Sequence, residues 1–119
     1  MSVESNYYVI AGYDLTGYET KEYDDYKYSK EIEKLTDNQA VGNIQLFDDS
    51  VCGSNLYLGY IFATRKAYSF ETQVLDVEKM WQIEALVHEC LKMLCEFGAV
   101  DSESLTQCKY QLIAFEKCI

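Results

Sequence analysis

The sequence contains no proline, a single histidine, a single tryptophan and only 10 basic side chains against 20 acidic ones. Each shortage removes a class of architecture or chemistry. Without proline there is no polyproline spacer, and without a Gly/Ser-rich run nothing marks an inter-domain boundary, so one domain over residues 1–119 is expected. No internal repeat at solenoid or propeller spacing is present. The shortage of Lys and Arg leaves no basic patch for nucleic-acid phosphates or anionic lipid. Every apolar run falls far short of a membrane span. The N-terminal MSVESNYYVIAGYD has no basic stretch followed by a long apolar one, so no signal peptide is read and a cytoplasmic protein is expected.

The same scarcity limits catalysis and metal binding. His88 opens HECLK, which follows the zinc-protease pattern H-E-x-x-H only until Lys92 stands where the second ligand belongs. A deaminase reading of His88-Glu89-Cys90 lacks the downstream Pro-Cys-x-x-Cys. His88, Cys90 and Cys95 are two and five residues apart on a helical stretch, and such positions do not converge on one ion. Cys52, Cys90, Cys95, Cys108 and Cys118 form an odd set without the short spacings of a secreted disulfide scaffold, so free thiols in a reducing compartment are expected. The phosphate-loop, dinucleotide and nucleophile-elbow glycine motifs are all missing. A Cys–His nucleophilic pair would need His88 and a cysteine joined by the fold. The reading is therefore no catalytic residue, no metal and no cofactor, with a Cys-dependent enzyme behind two kinds of binding protein.

What is present is acid and tyrosine. The net charge is −10 on 13.8 kDa, and 11 of the 119 residues are Tyr. Residues 14–37 hold eight carboxylates against four lysines. Within them GYETKEYDDYKY, Gly17 to Tyr28, interleaves tyrosines with Glu19, Glu22, Asp24 and Asp25. Tyrosine supplies contact area at low entropic cost and carboxylates supply partners for Arg and Lys, a composition suited to docking on a basic surface. The plain alternative is that these tyrosines pack a helix on a sheet while the acids face water. With the Asp48-Asp49 pair, the predicted partner-binding set is Tyr18, Glu19, Glu22, Tyr23, Asp24, Asp25, Tyr26, Asp48 and Asp49.

The periodicities predict an α+β fold, a largely antiparallel four-stranded sheet with about three helices packed on one face. Tyr7–Tyr13 is the first strand, and Tyr28, Ile32 and Leu35 mark a helix from Asp24 to Leu35. Gln39–Phe47 and Leu56–Ala63 follow as strands flanking a polar loop, the second apolar on both faces and hence central, with Gly59 permitting close approach. A tight turn at Arg65-Lys66 and a strand over Tyr68–Val74 come next. Asp76 caps a helix running through Phe97 to Gly98, with Trp81 and Phe97 on or beside its buried stripe. Residues 102–118 are read as a second helix from Leu105, Cys108, Leu112 and Phe115, although Tyr110, Leu112 and Ala114 could equally start a strand.

In size, charge, tyrosine content and lack of catalytic motifs, with acidic segments at 19–25 and 48–49, the chain resembles the small acidic proteins that phages and mobile elements use to block host defence. These include anti-CRISPR proteins and DNA-mimic inhibitors. The resemblance implies an intracellular, non-enzymatic inhibitor whose carboxylates imitate phosphates on the basic surface of a host protein such as a nucleic-acid-guided nuclease. It implies no direct contact with nucleic acid or membrane and leaves self-association open. The alternative is a small-molecule or nucleotide-binding protein with a pocket on the sheet face, near Tyr57, Tyr60 and Tyr68.

Overall fold

In the computed structural model, which describes residues 5–37, 43–49, 55–66 and 74–118, the alternating β-branched and aromatic run near the N-terminus forms strand β1, Ser5–Asp14. Helix α1, Asp25–Thr36, follows, and Asp24 is its N-cap, accepting the Lys27 N–H at 3.2 Å. Strands β2, Ile44–Asp49, and β3, Asn55–Lys66, then precede helices α2, Val77–Gln82, α3, Glu84–Glu96, and α4, Ser104–Gln107, and the chain closes with strand β4, Gln111–Cys118. All strand pairs are antiparallel, in the order β2-β3-β1-β4. This is the predicted α+β class with a four-stranded sheet. Four helices, rather than about three, occur among the described residues.

One face of the sheet carries the main core. Ala11 and Tyr13 of β1, Ile44 and Leu46 of β2 and Leu56 and Leu58 of β3 meet Tyr28 and Ile32 of α1, Met80 of α2 and Val87, Leu91 and Leu94 of α3. Strand β3, predicted central, lies between β2 and β1. Gly59 faces Gly12 across that pair, and a side chain at Gly12 would run into the Leu58 carbonyl and the Gly59 Cα. The backbones approach there because neither residue has a Cβ.

The opposite face carries a half-buried cluster of aromatics. Phe115 of the edge strand β4 stacks on Tyr8 at 5.5 Å between ring centroids and also meets Phe47 of the other edge strand, β2, at 5.1 Å. Two strands separate β2 from β4, which in a flat sheet would hold them about 14 Å apart. The sheet therefore coils. Its pairing slips between Val9 and Ile10, where Phe62 is the extra residue on β3, a bulge that increases local twist.

Four predictions are corrected. The helix expected from Asp76 to Phe97 breaks at Ile83 into α2 and α3. In an unbroken helix the Met80 carbonyl would accept the Glu84 N–H; here the Tyr110 hydroxyl donates to that carbonyl. The break shifts the helical phase, and Trp81 and Phe97, expected on or beside the buried stripe, are 60% and 54% exposed. Arg65 and Lys66 continue β3 instead of turning. Residues 102–118, read as a helix, give the four-residue α4 and then β4, because pairing with β1 along Ser5–Gly12 outweighs the helix preference of Gln, Leu, Ala, Glu and Lys. The strand expected at Tyr68–Val74 lies almost wholly outside the described residues, as does the start of the one expected at Gln39–Phe47. Among the described residues no helix is long and apolar enough to cross a membrane.

Candidate functional site

The acidic segment leaves the sheet at Asp14, whose side chain accepts the Thr16 N–H at 3.0 Å. It turns tightly through Gly17, φ 88°, with the Tyr18 N–H on the Leu15 carbonyl at 3.0 Å. A left-handed φ at the third position of such a turn suits glycine. Glu19 folds back to accept the Gly17 N–H at 2.9 Å. The chain is then stitched to the segment after α3 by a bridge between Glu19 and Val100, and the Asp101 N–H donates to the Tyr18 carbonyl at 2.8 Å. The Thr20 hydroxyl donates to the Gly98 carbonyl.

Tyr23 is the centre of the arrangement. Its ring is half-buried and stacks on Tyr28 with centroids 6.3 Å apart, while its hydroxyl donates to Asp25 at 2.9 Å. Burial, then the Asp25 hydrogen bond and the charges of Asp25, Asp48 and Glu19, push its proton affinity up. Asp25 in the first turn of α1 thus holds the phenol directly, while Glu19 of the loop after β1 and Asp48 at the end of β2 act on it by charge alone. Asp25 is additionally favoured in the first turn by the helix dipole.

The predicted residues do different work within this surface. Tyr18 is half-buried and donates to Gln107 at 2.7 Å, which ties the acidic loop to α4. Asp24 is exposed but occupied in capping, and Glu22 is exposed. Tyr26 is 76% exposed, with the Lys30 ammonium 5.7 Å from its ring, and is the tyrosine of the segment that stands out into solvent. Asp48 is half-buried on the helix-facing side of β2, and Asp49 ends that strand opposite Asn55. Asp101 and Glu103 were missed. Both are exposed and the Glu19–Val100 bridge brings them to the edge of the acidic surface, a placement that no local pattern announces across 80 residues of chain.

The Cys95 and Cys108 thiols and the His88 imidazole have partners of their own. Cys90 is fully buried in the core and burial pushes its thiol up to about 12, so it is poorly nucleophilic. Cys95 lies 3.5 Å from the Ser104 hydroxyl, and Cys108 reaches the Asp14 carbonyl at 3.3 Å, its thiol also raised, first by burial. His88 pairs with the Tyr13 hydroxyl at 3.3 Å. Tyr57 and Tyr60 point to opposite faces of the sheet, Tyr57 against Phe115 at 4.6 Å and Tyr60 against Phe62 at 5.4 Å, and Tyr68 lies outside the described residues. The chain matches no family model, no curated protein and no solved structure.

Proposed function

We propose that this chain is a non-enzymatic binding protein whose acidic face docks on a basic protein surface, of the kind that nucleic-acid-handling host proteins present to phosphates. The observation that carries the reading is the ordered acidic segment in which Asp25 holds the half-buried Tyr23 and the charges of Glu19 and Asp48 act on the same phenol, beside the exposed Glu22 and Tyr26. A net charge of −10 supplies long-range attraction to such a partner and repels nucleic acid itself. Tyr23 and Tyr18 hold the loop in shape, and Tyr26 offers the exposed aromatic contact. Preorganised charge loses little entropy on binding.

The test uses the full chain as bait in a lysate. A partner captured at low salt should be released by heparin or duplex DNA, which compete for the same basic surface. The combined variant Glu19→Gln, Asp25→Asn, Asp48→Asn should stay folded and capture at least about tenfold less, as expected for several lost charge contacts. Capture that withstands both the variant and about 1 M salt, where the Debye length is only about 3 Å, would refute docking by charge.

A further inference from the structure

Beside the break between α2 and α3 lies a solvent-open cavity of about 530 Å³ lined by Tyr13, Trp81, Glu84, Ala85 and His88. Three of these five side chains carry rings. Tyr110 packs behind them, 5.7 Å from Tyr13 and 6.2 Å from Trp81 between centroids, with interplanar angles of 57° and 54°. The Tyr13 and His88 rings are 6.3 Å apart and their polar atoms satisfy one another. Tyr110 is fixed by its bond to the Met80 carbonyl. Trp81 stays 60% exposed although Met80 and Ile83 beside it are buried, so a large aromatic surface is held at the cavity mouth by a rigid base.

We infer that this cavity is a binding site for an organic ammonium cation, with the exposed Trp81 ring receiving its alkyl groups, the buried Tyr13 closing the floor beneath and Glu84 meeting its charge. The negative faces of aromatic rings attract a desolvated cation, and Trp does so most strongly. Among the described residues lining the cavity Glu84 is the only carboxylate, so an anion would meet repulsion where a cation meets a counter-ion. Glu84 also acts on the phenols: after burial, its charge is the next cause that raises Tyr13, to about 12, and Tyr110. The chain's net charge of −10 concentrates cations near the surface. A compact ammonium, whether free as in choline or carried on a methylated lysine side chain, has the required chemistry. The inference is independent of the acidic face, since none of its residues lies there.

Trp81 is the only tryptophan, so its fluorescence reports the site alone. The full chain is titrated with choline chloride at constant ionic strength, beside 3,3-dimethylbutan-1-ol, the neutral isostere. A saturable change with choline at millimolar concentration, at least about tenfold weaker with the isostere and in Glu84→Gln, is the expected result. Peptides carrying trimethyl-lysine or unmodified lysine form a second arm: tighter binding of the methylated peptide than of choline identifies a side chain as the source, and the reverse identifies a free ligand. Calorimetry on Trp81→Leu should show the binding lost. Equal response to the isostere, undiminished affinity in Glu84→Gln, or no response to choline or to the methylated peptide at about 100 mM and about 1 mM respectively, would overturn the assignment.

Discussion

Single residues fix the geometry at two glycines, for opposite reasons. Gly12 has an ordinary backbone but no room, its missing Cβ being the space taken by the Leu58 carbonyl. Gly98 has room but φ of 75°, and it closes α3 with the Ala99 N–H on the Leu94 carbonyl at 2.9 Å and its own N–H on the Cys95 carbonyl at 3.1 Å. That is the left-handed helix terminator the sequence predicts at this position. Gly12→Ala should therefore cost about 3 kcal/mol or more, because two backbones in the middle of the sheet must separate. Gly98→Ala should cost about 1–2 kcal/mol and Gly98→Asn less, because Asn tolerates the left-handed region. Urea denaturation of the three variants gives the order, and a Gly12→Ala variant as stable as Gly98→Asn would contradict the close approach of β1 and β3.

Among the elements, the divided helix matters most, since the cavity at Trp81 lies beside its break. Neither glycine nor proline causes it; the sequence from Val77 to Glu96 contains neither. A phenol from the segment before β4 takes the Met80 carbonyl and thereby stabilises the interruption. Tyr110→Phe keeps the ring and removes the donor, leaving that carbonyl without the Tyr110 bond. The variant should lose about 1–3 kcal/mol and shift the emission of Trp81, whose ring lies against Tyr110. Unchanged stability together with an unchanged emission spectrum would show that the break has another cause. Strand β4 makes the same point about tertiary control, since its helix-forming composition yields to pairing with β1 and to the stacking of Phe115 on Tyr8.

For the whole molecule, the excess of acid is a cost to folding as well as a means of attraction. Ion pairs such as Lys30–Glu33 and Lys34–Glu31 on α1 are exposed and contribute little. A net charge of −10 opposes compaction generally. Raising sodium chloride from about 10 mM to about 0.5 M should thus increase the melting temperature, because screening weakens the repulsion. A melting temperature that falls over this range would mean that attractive pairs dominate the folded state.

The sequence by itself determined the α+β class, the acidic character, helix α1 with an aspartate at its start, the central position of β3 and the glycine that ends α3. These rest on local periodicity and capping chemistry, which are written within a few neighbouring residues. It also picked out the tyrosine-rich acidic segment, but it could not separate Tyr18 and Tyr23, bound to Gln107 and Asp25, from the outward Tyr26. Only the tertiary structure decided that residues 111–118 are a strand, that the long helix breaks at Ile83, and that the charges of Asp48 and Glu19 reach the phenol that Asp25 holds. The physical reason is the same in each case. The deciding partner, β1 for β4, Tyr110 for Met80 and Tyr23 for Asp48, lies 25 or more residues away, where no local spacing reaches.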